Sequence, residues 1–170
     1  MNLSNLGEFG LIELLQKSCR ATYNASVVKG IGDDAAVLKP GKGTNILFTT
    51  DALVEGVHFT KSMSPAAVGH KAIGCNISDI AAMGGCPQFA VVTLGVSPQT
   101  KQSTVTQLYA GMIQTAKRYN VAIVGGDMVK SSKMLINVAM IGETIGSQAI
   151  LRSGAKVGDA ILVTGPLGGS

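Results

Sequence analysis

The chain has 170 residues, of which 46% are hydrophobic, enough apolar material for one globular domain with a sizeable core. Its net charge is +4, but the 14 Lys and Arg residues are scattered, with no run longer than Lys117-Arg118, so no nucleic-acid-binding stripe is indicated. Cys19, Cys75 and Cys86 lack CxxC spacing, which argues against a disulfide framework or a zinc site. The N-terminus has no long apolar block, which argues against a signal peptide or a membrane span. Together these features predict a cytoplasmic protein.

The predicted elements alternate between helices and strands along the chain. The first is an amphipathic helix, expected to end near residues 22–24, in which Leu11, Leu14, Leu15 and Cys19 recur at helical spacing. Strands are predicted at 26–30, 45–54, 88–96, 121–127, 133–144 and 159–165, and helices at 64–83 and 101–120. This order predicts a single α+β domain of the split βαβ kind, a mixed sheet with helices packed on one face.

Two adjacent carboxylates, Asp33 and Asp34, lie in the segment GIGDDAAVL (30–38), between a pair of glycines and an apolar run. Like charges side by side repel, and burying either one without a partner is costly. The segment is therefore either a solvated turn, in which an aspartate caps its own backbone, or a place where a cation lies between the charges. Taken alone, the segment favours the turn.

Three further aspartates occupy places where ligands commonly bind. Asp51 ends one predicted strand, Asp127 ends another after a glycine pair, and Asp79 lies on a helix. If these side chains converge with Asp34 and with the two threonines that precede Asp51, cations must balance the charge. Hard oxygen ligands of this kind suit Mg²⁺ and, with it, a phosphorylated ligand. The alternative is four unrelated solvated turns.

Four other residues each have a plain structural explanation. His58 is more often structural than part of a site, and Tyr109, on an otherwise apolar helix face, is more often a core residue than a stacking partner for adenine. Arg152 would ordinarily be a surface cation, although its guanidinium is well shaped to hold phosphate. Asp159 is interpreted as a turn residue.

Several segments together resemble the thiamine-monophosphate kinases, a family related to aminoimidazole ribonucleotide synthetase, selenophosphate synthetase and the hydrogenase-maturation dehydratase. The matching segments are GEFGLI (7–12), GIGDDAAV (30–37), TTDALVEGVHF (49–59), GHKAIGCNISDIAAMGGCP (69–87), VGGD (124–127) and RSGAKVGDAILVTGPLGGS (152–170). The segments LVEGVHF and NISDIAAMG distinguish these kinases from their relatives.

The resemblance implies transfer of the γ-phosphoryl group of ATP to thiamine monophosphate, giving thiamine diphosphate, with Mg²⁺ as cofactor and ATP as co-substrate. The residues that it implies as magnesium ligands are Asp34, Thr49, Thr50, Asp51, Asp79 and Asp127. The residues that it implies as ATP contacts are Tyr109, Gly126, Asp127 and Arg152, and His58 would contact the thiamine substrate. Asp33 is expected to shape the turn instead. Such a reaction needs no side-chain nucleophile, because metal ions and positioning do the chemical work.

The resemblance also implies that residues 1–170 are an N-terminal ATP- and magnesium-binding and dimerisation domain. Members of the family continue into a second α/β domain that is absent here, and they pair as homodimers through the first domain. Neither a nucleic acid nor a membrane is expected as a partner. Two alternatives stay open: another ATP-dependent enzyme of the same superfamily, against which LVEGVHF argues, and an inactive nucleotide-binding or dimerisation module.

Overall fold

The structure, a computed structural model, describes residues 3–41, 43–163 and 165. The helices are α1 (Leu3–Cys19), a short 3-10 turn (Arg20–Thr22), α2 (Pro65–Ala82) and α3 (Gln102–Arg118). The strands are β1 (Val27–Lys29), β2 (Ala36–Leu38), β3 (Ile46–Val54), β4 (Gly85–Val96), β5 (Ala122–Lys130) and β6 (Leu135–Thr144). In this part of the chain, no helix combines the length and the apolar character needed to cross a membrane.

The strands form one six-stranded sheet in the order β1-β2-β3-β6-β4-β5. Strand β6 pairs antiparallel with both β3 and β4, so these two strands run parallel with β6 between them. Strands β3 and β4 with helix α2 are therefore a split βαβ unit, and the parallel pair β4 and β5 with helix α3 is a second βαβ unit. The predicted α+β class and the mixed sheet are confirmed.

Helix α2 begins where the sequence predicts. The Ser64 hydroxyl accepts a hydrogen bond from the main-chain N–H of Ala67 at 3.2 Å, and Pro65 is the first helical residue. A capping hydroxyl satisfies a main-chain donor that the helix itself cannot, and proline suits a position that needs no donor. These two residues therefore fix the start of the helix.

Helices α2 and α3 cross at very short range because each contributes a glycine. A Cβ atom on Gly69 would lie 2.0 Å from the main-chain oxygen of Leu108, and one on Gly111 would lie 1.9 Å from the main-chain oxygen of Ala66. Any larger residue at either position would force the helices apart. The crossing positions α2, the helix that carries Asp79.

The two faces of the sheet differ sharply in exposure. One face is covered by α2 and α3, and side chains such as Leu47 and Met140 are fully buried there. On the other, Phe48, Ile141 and Phe89 are direct cross-strand neighbours on β3, β6 and β4, and they are 43%, 38% and 50% exposed. We call this second side the open face. It is a row of large apolar side chains that this chain leaves uncovered among the described residues.

Three sequence predictions need correction or qualification. No strand forms at 159–163 or 165, because none of the described strands pairs with this segment, and Ile161 is 94% exposed. Strand β2 was not predicted, because three residues are too few for an alternating pattern and only pairing with β3 defines it. The first helix ends as predicted, but the side chains of Leu11 and Leu14 lie outside the described residues and Leu15 is 46% exposed.

Candidate functional site

An open cavity of 960 Å³ lies beside β3, at the point where β2 begins. Strand β2 pairs with β3 only over residues 46–48, so among the described strands the edge of β3 is free from Thr49 onward. The cavity is lined by residues 30–36 and 48–51, by Asp79 of α2, by Arg152 and by one side of α1. Sequence segments predicted for the site therefore meet here. Helix α1 contributes Phe9, from the matching segment GEFGLI, and Gln16, to which the sequence analysis gave no role.

Thr49 connects three of the segments that line the cavity. Its hydroxyl lies 2.8 Å from Oδ2 of Asp79 and 3.2 Å from the main-chain oxygen of Asp34. Side chains two residues apart on a strand share a face, so Asp51 lies on the same side of the sheet as the buried Thr49. The strand, the helix and the acidic turn are thus held in one arrangement around these carboxylates.

Negative charge is concentrated on the floor of the cavity. Burial raises the pKa of the Asp79 carboxyl above its usual range, and the hydrogen bond from Thr49 partly opposes this. The charges of Asp51 and Asp34 raise that pKa further. The pKa of the Cys75 thiol, on the same helix, is also raised, first by burial and next by Asp51. A cation placed in the cavity would relieve this repulsion.

In this structure a guanidinium meets part of that charge. Nη2 of Arg152 is paired with Oδ1 of Asp34, and this contact is the main reason why the pKa of Arg152 is raised. The pair lies at the mouth of the cavity, where the side chains of Arg152 and Asp34 are 60% and 35% exposed. Arg152 therefore lines the cavity and pairs with one of its carboxylates, and its contact with ATP stays a prediction.

The oxygen donors fit magnesium in a particular way. Among residues 3–41, 43–163 and 165, no three His, Cys, Asp or Glu side chains stand close enough together to hold one ion. Magnesium, however, is usually bound through one or two carboxylates and takes its other ligands from water and substrate phosphates. Asp34, Asp51 and Asp79 line the cavity in that sparse fashion, with room for a polyphosphate beside them.

Asp127 lies apart from the other three carboxylates. Asp127 pairs with Thr93 of β4, whose neighbours Val92 and Leu94 are buried under the helices, so the side chain of Thr93 is on the open face. The side chain of Asp127 is therefore on the open face too, whereas that of Asp51 is on the helix-covered face. Strands β6 and β4 separate β3 from β5, a distance of about 14 Å at the usual strand spacing. Within one chain, therefore, the structure brings together only three of the four carboxylates that the sequence analysis grouped.

Other predicted site residues have visible structural roles. A Cβ atom on Gly126 would lie 1.9 Å from the main-chain oxygen of Val92, so this glycine is required for β5 to approach β4. Tyr109 is half-buried and packs against the core cluster. The Thr50 hydroxyl donates across the sheet to the main-chain oxygen of Val138 at 3.0 Å and lies 3.1 Å from Oδ1 of Asn137, although Thr50 also lines the cavity.

His58 lies in a turn beyond the end of β3 and does not line the cavity. Its Nδ1 accepts a hydrogen bond from the main-chain N–H of Val54 at 3.0 Å, and Lys71 of α2 donates to its main-chain oxygen at 3.0 Å. The imidazole thus holds the turn closed on one side and leaves the rest of the exposed ring available.

The comparison with known sequences assigns this α+β fold, with its acidic cavity, to one class of protein. The chain belongs to the AIR synthase related protein family, N-terminal domain, whose model matches residues 32–144. The thiamine-monophosphate kinase of Aquifex aeolicus is 41% identical over 170 residues, which is 100% of this chain and 52% of that protein. The kinase of the same name from Bacillus subtilis is 42% identical over 167 residues, 97% of this chain and 51% of that protein.

Solved structures give the same result for the fold. One described as AaThiL complexed with AMPPCP and TMP superimposes with a TM-score of 0.82 at 40% identity, covering 92% of this chain and 47% of that one. A chain of a HypE-HypF complex shares the fold alone, with a TM-score of 0.64 at 21% identity, covering 84% of this chain and 46% of that one. The chain thus spans about half the length of the curated relatives that it matches.

Proposed function

We propose that this chain is the ATP- and magnesium-binding N-terminal domain of a thiamine-monophosphate kinase. One observation supports this most directly: Asp34, Asp51 and Asp79 line a single cavity whose mouth carries Arg152. That combination suits a magnesium-bound polyphosphate, since carboxylates hold the metal and a guanidinium holds phosphate oxygens. The similarity to kinases of that name over the whole chain supports the same substrate pair.

The proposed mechanism gives each side chain a limited task. Both reactants are anions, and bound magnesium would neutralise their repulsion and the charge that develops on the transferred phosphoryl group. Asp34, Asp51 and Asp79 would hold the ions, and Thr49 would keep the Asp79 carboxylate in its position. Arg152 would bind and orient a phosphate of ATP. No nucleophilic side chain takes part, because an oxygen of the acceptor phosphate itself attacks the γ-phosphorus in line, while the bond from that phosphorus to the β,γ-bridging oxygen breaks and ADP leaves.

Other assignments in the proposal depend on groups outside the cavity. Thr50 is proposed as a further magnesium ligand, Tyr109, Gly126 and Asp127 as ATP contacts, with Asp127 also a magnesium ligand, and His58 as the contact for thiamine monophosphate. A homodimer through the open face would give the Asp127 of one copy a route to the cavity of the other copy. Within one chain, by contrast, the strand order holds Asp127 about 14 Å from β3. The apolar row on that face supports such pairing, because monomers seldom expose such a patch.

The first experiment is a calorimetric titration of the chain with Mg²⁺ and AMPPCP, followed by a coupled assay with ATP and thiamine monophosphate. We expect the analogue to bind only when magnesium is present, and the Asp51→Asn variant to lose binding by at least about tenfold. Asp159→Asn is the matched control, because Asp159 has the same charge but accepts a hydrogen bond from Lys156 N in a turn outside the cavity. Equal binding by all three proteins would overturn the proposal.

A second candidate is an inactive nucleotide-binding or dimerisation module. It is favoured by the strand order, which within one chain separates Asp127 from the other three carboxylates. The isolated chain is expected to show near-background turnover in either case. The two candidates differ when the second α/β domain of the family is supplied in the same chain, because a kinase domain would then transfer phosphate, whereas a module of this kind would bind Mg²⁺ with AMPPCP and transfer none. For either candidate we propose a cytoplasmic location, supported by three cysteines that are all free thiols.

A further inference from the structure

Asp33 has no assigned role in catalysis or binding, yet its carboxylate is the most enclosed charge at the cavity. Its side chain is fully buried, and Oδ2 lies 3.6 Å from Nζ of Lys29. Oδ1 accepts a hydrogen bond from the main-chain N–H of Asp34 at 3.1 Å. Burying a carboxylate is costly unless such partners satisfy it. The Lys29 ammonium and the Asp34 N–H therefore satisfy part of this buried charge.

The same carboxylate holds a segment that is 119 residues away in sequence. The main-chain N–H of Arg152 lies 3.2 Å from Oδ1 and 3.1 Å from Oδ2 of Asp33. The Arg152 side chain, by contrast, is 60% exposed and touches the carboxylate of Asp34. One residue thus has a main chain anchored by Asp33 and a charged end that is exposed at the cavity mouth. A guanidinium held in this way can change partners without the backbone moving.

We propose that Asp33 is a positioning residue that fixes the main chain of Arg152 at the cavity mouth, so that the guanidinium can exchange between Asp34 and the phosphates of a bound nucleotide. This inference rests on the proposed function, because it needs an anion to compete for Arg152. In the free chain the guanidinium neutralises Asp34. When magnesium and nucleotide enter, Asp34 is released to the metal, and Arg152 remains within reach of the phosphates.

Charge alone predicts the opposite effect for Asp33. Removing a carboxylate beside an anion-binding cavity should strengthen the binding of a polyphosphate, since repulsion falls. If Asp33 positions Arg152, its removal should weaken binding. The sign of the change therefore separates positioning from simple electrostatics.

The test is a double-mutant cycle on the full chain, using Asp33→Ala, Arg152→Met and the double variant, with the affinity for Mg²⁺ and AMPPCP measured by calorimetry. We expect Arg152→Met to weaken binding by about ten- to a hundredfold, as for the loss of a charge-assisted hydrogen bond, and Asp33→Ala by about tenfold. The double variant should bind within about twofold of Arg152→Met, because the two residues act through one contact. The matched control is Asp159→Ala, which removes another carboxylate that accepts a main-chain N–H, at 2.8 Å, and should not weaken binding.

Amide hydrogen exchange provides a readout that does not depend on nucleotide. Loss of the anchor should speed exchange of the Arg152 amide by about tenfold in Asp33→Ala, while Arg152→Met should leave that amide protected. If Asp33→Ala does not fold, Asp33→Asn, which has the same shape and one acceptor oxygen, should show both effects at smaller size. Unchanged exchange, additive losses, or tighter binding by Asp33→Ala would overturn the inference alone. Failure of the wild-type chain to bind Mg²⁺ with AMPPCP would instead overturn the proposed function and, with it, this inference.

Discussion

At the scale of single residues, the cavity places like charges together. Asp79 is partly buried beside Asp51 and Asp34, and its pKa is raised by burial first and by those charges next. A raised pKa means that the folded chain binds the Asp79 proton more tightly than the unfolded chain does. The resulting stability is present below the unfolded pKa of about 3.9 and is lost as the pH rises through the higher folded value. At neutral pH the charged Asp79 therefore destabilises the metal-free chain.

This sign predicts that Asp79→Asn raises the melting temperature of the metal-free chain at pH 7. The amide keeps an oxygen that can accept the hydrogen bond from Thr49, so only the charge is lost. The advantage should shrink as the pH falls through the raised pKa of Asp79, because wild-type Asp79 then becomes neutral. Binding of Mg²⁺ with AMPPCP should fall by at least about tenfold in the same variant, and the stabilisation that these ligands give should disappear.

Thermal melts at several pH values, with and without Mg²⁺ and AMPPCP, measure both effects. Asp159→Asn again serves as the control, and we expect its melts to match those of the wild type. A lower melting temperature for Asp79→Asn at pH 7 would show that the carboxylate stabilises the metal-free fold, contrary to its raised pKa.

At the scale of elements, the crossing of α2 and α3 decides where the site lies. Replacing a helical glycine with alanine ordinarily stabilises a helix by about 1 kcal/mol. At Gly69 and Gly111 the new Cβ atom would collide with main-chain oxygen of the other helix, and such overpacking costs about 1–3 kcal/mol, or more. We therefore expect Gly69→Ala and Gly111→Ala each to lower the free energy of unfolding by about 1–2 kcal/mol.

Gly74 provides a control within the same helix, since nothing lies within 4 Å of a Cβ atom built on it. Gly74→Ala should raise the free energy of unfolding by up to about 1 kcal/mol. Urea denaturation of the three variants measures the difference. If Gly69→Ala and Gly74→Ala shift stability in the same direction, the close crossing of the helices is not what constrains Gly69.

How far sequence reasoning reaches depends on whether a feature is local. The cap of α2, the apolar periodicity of α3 and the β-branched, apolar composition of β3 are local, and these elements lie where they were predicted. The strand predicted at 159–165 has the same apolar pattern and is wrong, because a strand also needs a neighbour to pair with. Pairing is not local, and for the same reason β2 was missed.

The arrangement of the candidate site was also predictable only where it depends on local features. Thr49, Asp51 and Asp79 line one cavity because β3 and the helix that follows it pack together in one βαβ unit. Asp51 lies within β3 (Ile46–Val54) and not at its end, so that part of the prediction was wrong. The anchoring of Arg152 by Asp33 joins residues 119 positions apart, and no periodicity predicts such a contact. The place of Asp127 depends on strand order, which put two strands between it and Asp51. Whether it binds metal stays a prediction.

At the scale of the whole molecule, the open face and Asp127 pose one question together. The apolar row Phe48, Ile141 and Phe89 crosses three strands, and Asp127 lies on the same face of the sheet. Pairing of two such faces would bury the row and remove a patch that favours aggregation. It would also leave Asp127 at or near the contact between copies. The proposed dimer and the proposed role of Asp127 can therefore be tested by the same variants.

We predict that Phe89→Glu converts a dimer into a monomer, because a carboxylate within the apolar row would have to lose its water on pairing. Light scattering measures this, and Ile161→Glu, which places the same charge at a site that is 94% exposed and outside the sheet, should leave the dimer intact. In the dimer, Asp127→Asn should weaken binding of Mg²⁺ with AMPPCP by at least about tenfold. In the Phe89→Glu background, binding should already be weak, and Asp127→Asn should have no further effect, since its own chain keeps it far from β3.

A Phe89→Glu protein that stays dimeric would show that the open face is not the interface. A monomer that binds the nucleotide as tightly as the wild type would show that each chain carries a complete nucleotide site and that Asp127 is not part of it.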